Sequence, residues 1–430
     1  MARTFRSLEG YNYRVWAIGA LISNIGTWMQ RTAQDWLVLT QLTEQNATAL
    51  GIVLALQFGP MLLLLPFSGA AADHFDRRKL LIVTQVLMGL LALGLGLLTV
   101  TGHVTLWQVY VFAFLSGCVA AFDAPARQTF VSDLVEENQL SNAVALNSLS
   151  FNAARMIGPA VAGGLIPFLG TGWVLLSNAI TFIAMIYAMT RLRTDDMHVR
   201  IRPIRARGNL VEGFRYVWKR PDLKALLLML FLVGTFGLNF PIFISTMAVS
   251  VYGAGSGHYG LLTSIMAIGS VTGALLAAKR GRPGAKLLLI AISIFGAGFA
   301  LAAFMPNFWW FGAALFVLGI SAQTFTTSSN SMVQLSTDPL MRGRVMAILL
   351  ATTLGGTPIG APIVGWVADT FGPRWAMGIG GASGVAAALV WARYLVKYRD
   401  LTVRLRGVDA MPIIVCLISR SLVSIRHRWV

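Results

Sequence analysis

The sequence predicts an all-α membrane protein with about twelve transmembrane helices arranged in two six-helix bundles. Three observations support this fold class: apolar runs of about 20 residues recur along the chain, only 12% of the 430 residues are charged, and the basic residues concentrate in the loops between runs. Backbone polar groups must be paired within hydrocarbon, so a chain with many such runs is expected to cross the membrane as helices.

Twelve runs have the length and composition of a membrane span. We predict spans at residues 13–37, 48–68, 80–100, 105–124, 144–167, 172–190, 224–246, 259–278, 285–304, 308–328, 345–367 and 374–396. No cleavable signal peptide precedes the first span, which we expect to remain as a membrane anchor.

Basic residues alternate between the two sides of these predicted spans. With a cytoplasmic N-terminus, nearly all loop bases fall in cytoplasmic loops, and Arg374 is the clear exception on the outside. The positive-inside rule then predicts a multi-pass protein with both termini in the cytoplasm.

Composition and motifs argue against several other classes. The formal net charge of +17 is spread over short loops and forms no basic domain for nucleic acid. Cys118 and Cys416 offer no disulfide framework and no metal site. No nucleotide-binding loop and no nucleophile–base pattern occur, so we predict that the protein has no cofactor and is not an enzyme.

The chain divides into two similar halves. We predict an N-terminal bundle at residues 1–190, a cytoplasmic linker at 191–223, a C-terminal bundle at 224–397 and a basic cytoplasmic tail at 398–430. Four identities share one offset of 202 residues and favour a parallel six-helix repeat: Gly158/Gly360, Gly163/Gly365, Gly170/Gly372 and Trp173/Trp375.

Two segments outside the spans have open interpretations. The linker sequence EGFRYVWKR is either an interfacial amphipathic helix or part of a solvated connection. In the tail, the run Met411 to Leu417 is too short to cross a bilayer, so the tail either lies on the inner surface or is disordered.

Charged residues inside spans are the strongest indications of a site, because each costs about 2.5–3.5 kcal/mol at a helix centre. Arg31 and Asp35 lie one helical turn apart in the outer part of the first span and are close enough to pair. They predict a substrate or proton site in a central cavity. The alternative is a neutralised structural pair near the outer headgroups.

Three further charges lie in the fourth and fifth spans. Asp123 and Arg127 repeat the four-residue spacing around Pro125, which should stop or bend the helix. They are candidates for proton coupling or substrate binding, or else fix the end of the span as an ion pair. Arg155 is more isolated, and the sequence does not decide whether it approaches Asp123 or Asp35.

Small residues and a proline interrupt the fifth span. The segment contains Gly158, Pro159, Gly163 and Gly164, which allow close helix contact and a bend. Packing alone would explain this composition.

The loop Gly69 to Lys79 carries an unusual density of charge for a short connection. Its sequence GAAADHFDRRK, with Gly69, Asp73, Arg77, Arg78 and Lys79, resembles the loop between the second and third helices of the major facilitator superfamily. The resemblance implies a gating loop in which Arg77 holds Asp73 near the start of the eleventh span. The small-residue segment of the fifth span is similar to the helix motif of exporters in this superfamily, which favours efflux over uptake.

Longer stretches narrow the resemblance. GTWMQRTAQDWLVLTQLT, FDAPARQTFVSDLV, NAARMIGPAVAGG and RGRVMAI resemble the bacterial transmembrane secretion effector branch of drug:proton antiporters, over roughly residues 10 to 398. Two features depart from the pattern. Ala113 stands where many drug antiporters have arginine, and the second half's counterpart loop, AAKRGRPGAK, has no acid.

Together these observations predict a secondary active transporter in a bacterial inner membrane. We expect a monomer that exports a small amphiphilic molecule of the drug or siderophore class by proton antiport and alternating access. Its partners would be the substrate, protons and the bilayer, without nucleic acid. The alternatives are an uptake permease for a sugar or organic acid and a membrane sensor or assembly protein that only binds.

Overall fold

The computed structural model describes residues 5–64, 67–68, 71, 74–197, 210–279, 284–339, 341–398, 401–404 and 416–419. Gly69 and Asp73 of the predicted gating loop lie outside this part of the chain. The first six crossing helices are α1 Tyr11–Trp36, α2 Ala47–Leu63, α3 Arg77–Val100, α4 Leu106–Phe130, α5 Leu140–Leu169 and α6 Thr171–Thr190. A π-helical turn, Leu37–Leu42, extends α1.

The second half begins with a linker helix and contains two interrupted spans. Its helices are α7 Leu210–Lys219, α8 Pro221–Leu232, α9 Phe240–Thr246, α10 Ser256–Lys279, α11 Ala285–Ala303, α12 Phe308–Ser336, α13 Arg342–Gly355, α14 Thr357–Phe371 and α15 Pro373–Tyr398. The seventh span consists of α8, the π-turn Val233–Gly237, α9 and the π-turn Met247–Val251. The eleventh span consists of α13 and α14, which meet at Gly356. Sequence analysis predicted both spans as continuous helices.

Local sequence explains where several helices begin. Asn46 accepts a hydrogen bond from the N–H of Ala49 at the start of α2, and Asp76 accepts one from Lys79 at the start of α3. Such caps satisfy donors that the helix itself leaves unpaired. Pro125 was expected to stop or bend the fourth span, but α4 continues through it to Phe130.

Nine described helical segments are long and apolar enough to span a membrane, and Ala47–Leu63 is a shorter apolar helix. The two remaining long helices of the first half, α1 and α5, carry more polar residues. They are the helices that contain Arg31, Asp35 and Arg155. Twelve crossing segments in the described chain therefore agree with the predicted fold, and the two polar ones indicate where the cavity lies.

Matched glycines show that the two halves repeat one packing scheme. A Cβ at Gly158 would lie 2.5 Å from Trp28 in the first span, and one at Gly360 would contact Thr235 in the seventh. A Cβ at Gly163 would lie 2.7 Å from the Ser256 oxygen of α10, and one at Gly365 would lie 2.3 Å from the Ala47 oxygen of α2. The fifth and eleventh spans thus contact equivalent neighbours, as a parallel repeat requires.

The glycines that end these two spans match as well. Gly170 and Gly372 have φ of +81° and +99°, a backbone region that other residues seldom adopt. Each allows the chain to turn directly into the following helix. The shared offset in the sequence therefore corresponds to a shared local conformation.

The linker helix α7 packs on the second half. Arg344 of α13 pairs with Glu212 at 2.6 Å, and Tyr216 donates a hydrogen bond to Asp338 at 3.0 Å. Gly213 faces Arg344 closely, whereas Trp218 on the opposite side is 75% exposed. The segment is therefore an amphipathic helix with one docked face, rather than a wholly solvated connection.

The described part of the tail contains two short strands, β1 Leu401–Arg404 and β2 Cys416–Ser419. They pair antiparallel, with Leu401 opposite Ser419 and Arg404 opposite Cys416. Neither open interpretation of the tail included this pairing.

Candidate functional site: a charged cavity between the two halves

A cavity of about 260 Å³ lies between the two halves. The first half contributes residues of α1, α2 and α5, and the second contributes the break in the seventh span, α10 and the joint of the eleventh span. Irregular backbone inside a membrane is tolerated where it lines a cavity, and both interrupted spans do so here. The interruptions therefore mark this cavity as the candidate binding site.

The charged groups of the cavity come from α1 and α5. Its lining comprises Trp28, Arg31, Thr32, Asp35, Leu54, Gln57, Phe58, Arg155, Leu238, Asn239, Phe240, Pro241, Ile244, Tyr259, Thr263, Met266, Ala267, Thr353 and Thr357. The walls are mainly apolar and aromatic. Two larger grooves of about 550 Å³ lie elsewhere and have mostly aliphatic linings, as expected of lipid-facing surfaces.

Asp35 is held by a residue of the other half. Its Oδ2 accepts a hydrogen bond from the hydroxyl of Tyr259 at 3.1 Å, and both residues are buried. The Tyr259 ring also stacks on Trp36 at 6.2 Å between centroids. This contact joins α1 to α10 across the cavity, so the state of the carboxyl group can affect how the two halves meet.

Arg31 does not form the predicted ion pair with Asp35. The pairs within 4.0 Å among the described residues do not include it. Its guanidinium instead lies 5.0 Å from the Trp28 ring centroid and 5.8 Å from that of Phe58. The predicted four-residue spacing places both charges on one side of α1 in the same cavity, without a contact between them within 4.0 Å.

Arg155 joins this group rather than Asp123. Its guanidinium lies 5.7 Å from the Trp28 ring, so Trp28 contacts both cavity arginines. Arg155 therefore shares a cavity with Asp35 and not with Asp123, and within the described residues it forms an ion pair with neither acid. Arg31, Asp35 and Arg155 line one cavity.

Asp123 and Arg127 form a separate network between α1, α3 and α4. Asp123 accepts hydrogen bonds from Thr84 at 2.8 Å, Gln85 at 2.7 Å and Arg127 at 2.9 Å. Arg127 also donates to Asn24 at 3.4 Å. Because these polar groups are mutually satisfied and line none of the cavity, the pair fits the structural alternative.

Arg77 has a partner that the sequence did not indicate. Its Nη1 lies 2.9 Å from each carboxylate oxygen of Asp133, which follows α4. Arg78 donates to the backbone oxygens of Met189 and Thr190, so it ties α3 to the end of α6. Lys79 donates its backbone N–H to Asp76. Arg77 was also expected to hold Asp73; that residue lies outside the described part of the chain, so this contact stays a prediction.

The predicted exporter motif divides into two kinds of position. Gly158 and Gly163 lie in backbone-close contacts with α1 and α10, and the Pro159 oxygen is 2.3 Å from a Cβ placed at Gly260. A Cβ at Gly164 would meet nothing within 4 Å. Close packing accounts for the first two glycines and leaves Gly164 without a described contact.

The sequence analysis did not single out most residues of the cavity lining, among them Trp28, Tyr259 and Asn239. Asn239 donates a hydrogen bond to the Thr235 oxygen of its own span, and its buried Oδ1 has no described partner. Spacing along α1 could have suggested Trp28, which lies three residues before Arg31, whereas the other two depend on tertiary contacts.

The helical repeat and the cavity at the interface of its halves define a membrane transporter of the major facilitator fold. Similar solved structures support the fold: a D-xylose-proton symporter matches with a TM-score of 0.70 and 14% identity over 89% of this chain and 97% of that one. A bacterial homologue of the human lysosomal transporter Spinster, in an inward-facing unoccupied conformation, matches with a TM-score of 0.67 and 16% identity over 90% and 95%.

The chain belongs to the transmembrane secretion effector family, whose profile matches residues 2–409. It is 25% identical to the staphyloferrin A transporter of Staphylococcus aureus (strain NCTC 8325 / PS 47), over 85% of this chain and 92% of that protein. It is 27% identical to the multidrug efflux pump Tap of Mycolicibacterium fortuitum, over 82% and 88%. The enterobactin exporter EntS of Shigella flexneri is 25% identical over 76% and 78%. The protein is therefore a membrane transporter and not an enzyme, as the sequence predicted.

Proposed function

We propose that this protein exports a small amphiphilic molecule, of the drug or siderophore class, across a bacterial inner membrane by proton antiport. The observation that carries the proposal is the Asp35–Tyr259 contact inside the cavity between the halves. The relatives named for siderophore export and multidrug efflux support the substrate class.

Alternating access provides the mechanism. The substrate enters the cavity from the cytoplasm, the halves rock around it, and the cavity opens outward. Asp35 accepts the proton from the outside and returns it to the inside. The other charged or titratable groups among the described residues that line the cavity with Asp35 are Arg31, Arg155 and Tyr259.

Protonation reaches the interface through Tyr259. A carboxylate accepts a hydrogen bond more strongly than a neutral carboxyl group does. Protonation of Asp35 therefore weakens the link between α1 and α10 and shifts the balance between the two cavity orientations.

Proton influx supplies sufficient energy. One proton crossing about 100 mV releases roughly 2.3 kcal/mol, which sustains about a fifty-fold substrate gradient before any pH difference is added.

We further propose that the loop at residues 69–79 acts as a gate on the cytoplasmic side. Its bases Arg77 and Arg78 anchor the start of α3 to neighbouring segments. Replacement of Asp73 by Asn is expected to impair transport while leaving membrane insertion intact. Normal transport by that variant would limit the loop to a role in topology.

Transport from inverted vesicles tests the main proposal. A panel of drugs and siderophores is offered to the vesicles with and without an uncoupler. We expect the protein to act as a monomer. Uptake into inverted vesicles that the uncoupler abolishes would support proton-driven export. Movement in the opposite direction would indicate an uptake permease, and the absence of any counterflow in proteoliposomes would indicate a binding protein.

A further inference from the structure

The central cavity holds more positive than negative charge. Arg31 and Arg155 provide two guanidinium groups, and Asp35 provides the one carboxylate among the described lining residues. Charge is costly at membrane depth, so this imbalance requires an explanation.

Neither cavity arginine has a carboxylate within 4.0 Å among the described residues. Four other arginines have a carboxylate within 3 Å, in the pairs Arg77–Asp133, Arg127–Asp123, Arg220–Asp222 and Arg344–Glu212. Arg31 and Arg155 appear in none of the ion pairs or hydrogen bonds found in the described part of the chain. Asp35 is engaged by Tyr259 instead.

Trp28 brings the two cations to the same part of the cavity. Their guanidinium carbons lie 5.0 and 5.7 Å from its ring centroid. The electron-rich face of an indole partly offsets a positive charge, but it does not use the N–H donors at the edge of a guanidinium. Both groups therefore retain donors for a ligand.

Resting on the export function proposed above, we infer that the cavity binds its substrate through an anionic group, such as a carboxylate, placed between Arg31 and Arg155. A guanidinium presents paired donors that match the two oxygens of a carboxylate. The apolar part of the substrate would lie along Phe240 and Ile244, which the second half contributes to the lining. The resulting specificity is for anionic amphiphiles over neutral or cationic ones.

Three fluorescent probes with one shared body test the sign of the charge. Dansylglycine carries a carboxylate, dansylglycinamide is neutral and dansylethylenediamine is cationic. Binding to the detergent-purified full-length protein is measured by fluorescence anisotropy. We expect dansylglycine to bind about tenfold more tightly than the amide, as one charge-assisted contact allows. The amine should bind most weakly.

Variants separate charge from shape. Arg155→Gln should reduce dansylglycine binding several-fold and weaken amide binding far less, since Arg31 remains to contact the carboxylate. Arg155→Lys should retain part of the preference, because it keeps the charge but loses the paired donors. Asp35→Asn should strengthen dansylglycine binding several-fold, since it removes a like charge. Arg215→Gln, on the exposed surface of α7, is the charge-matched control and should change nothing.

Three results would overturn the inference: equal binding of carboxylate and amide by the wild-type protein, tightest binding of the amine, or equal weakening of all probes by Arg155→Gln. Carboxylate selectivity without uphill transport in inverted vesicles would contradict the proposed function alone. Uncoupler-sensitive export without carboxylate selectivity would contradict this inference alone.

Discussion

The carboxylate of Asp369, in the second half, accepts hydrogen bonds from the backbone N–H groups of Ala47 at 2.7 Å and Thr48 at 2.8 Å, in the first half. Asn46 caps Ala49 of the same helix. The first turn of α2 therefore has three of its otherwise unpaired donors satisfied, two of them by the opposite half. This end of the molecule, which the sequence predicts to be external, is held closed partly by a helix cap shared between the halves.

Loss of this cap should favour the outward-open state. Asp369→Ala removes an interaction of roughly 1 kcal/mol, which is about fivefold in an equilibrium. We expect about a fivefold rise in the rate at which a thiol reagent labels a cysteine introduced at Thr40, which lies near the same end. The labelling is measured in a background that lacks Cys118 and Cys416. Glu44→Gln, an exposed acid nearby, is the control. Unchanged labelling in the Asp369 variant would show that the cap does not control opening.

Asp35 and Tyr259 should be required for coupling rather than for substrate binding. Asp35→Asn should abolish uphill efflux and permit binding and downhill exchange. Tyr259→Phe keeps the ring on Trp36 and loses the hydroxyl, so it should reduce pH-driven efflux more than downhill flux. Tyr252→Phe is the matched control, because that hydroxyl bonds to Met305 within the second half only. Unimpaired pH-driven efflux by Asp35→Asn would exclude the proposed role.

The Arg77–Asp133 pair should stabilise the first half. Each partner is largely buried, so Arg77→Gln should lower the free energy of unfolding by about 1–3 kcal/mol. A double-mutant cycle with Asp133→Asn, followed by thermal denaturation in detergent, should give a coupling energy above 0.5 kcal/mol. Arg193→Gln removes an exposed pair at 3.9 Å and should have little effect. If the losses in free energy of unfolding from the two single substitutions simply add in the double variant, the contact between Arg77 and Asp133 contributes no coupling energy.

Neighbouring glycines in α5 should differ in their effects on transport. Gly163→Ala would place a Cβ 2.7 Å from the Ser256 oxygen and force α5 away from α10, whereas Gly164→Ala meets nothing within 4 Å. Both substitutions raise the intrinsic helix propensity by roughly 1 kcal/mol, so a loss of efflux in either variant would not come from a weaker helix. We expect efflux to fall several-fold in the first variant only. Equal activity of the two would refute close packing as the reason for the motif.

The predicted orientation can be tested with reporters. A reporter fused after Lys397 should be cytoplasmic, and one inserted at Gly102 should be external. Gly102 suits an insertion because it lies in an exposed turn between α3 and α4 with φ of +72°. Location of both reporters on the same side would contradict the twelve-span topology.

The sequence predicts the spans well because their signal is local. The length of an apolar run and the charge of a loop depend on neighbouring residues only. The predicted span ends differ most from the observed helix ends where a helix extends into the polar region, as α12 does to Ser336. The breaks of the seventh and eleventh spans were missed although local sequence marks both of them. Gly355, Gly356 and Pro358 stand at the joint of the eleventh span, and Gly237 and Pro241 flank the break of the seventh.

The candidate site is less predictable because its contacts join distant segments. The sequence identifies Arg31, Asp35 and Arg155, since charge in an apolar run is conspicuous. It does not reveal that Tyr259, 224 residues from Asp35, supplies the carboxylate's hydrogen bond. Nor could it separate the Asp123–Arg127 network from the cavity, because both pairs have the same spacing.

The polar character of α1 has a consequence for biogenesis. Among the described spans α1 is synthesised first, so Arg31 and Asp35 reach the translocon before the later spans that line the cavity with them, and each charge inside a span costs up to about 2.5–3.5 kcal/mol. Residues of α6 contact other positions of α1: Asn178 donates a hydrogen bond to Gln30, and Gly26 packs closely against Thr181. We therefore expect the first span to sit more stably in the bilayer once the sixth span has joined it, which couples the insertion of two helices that are far apart in the chain.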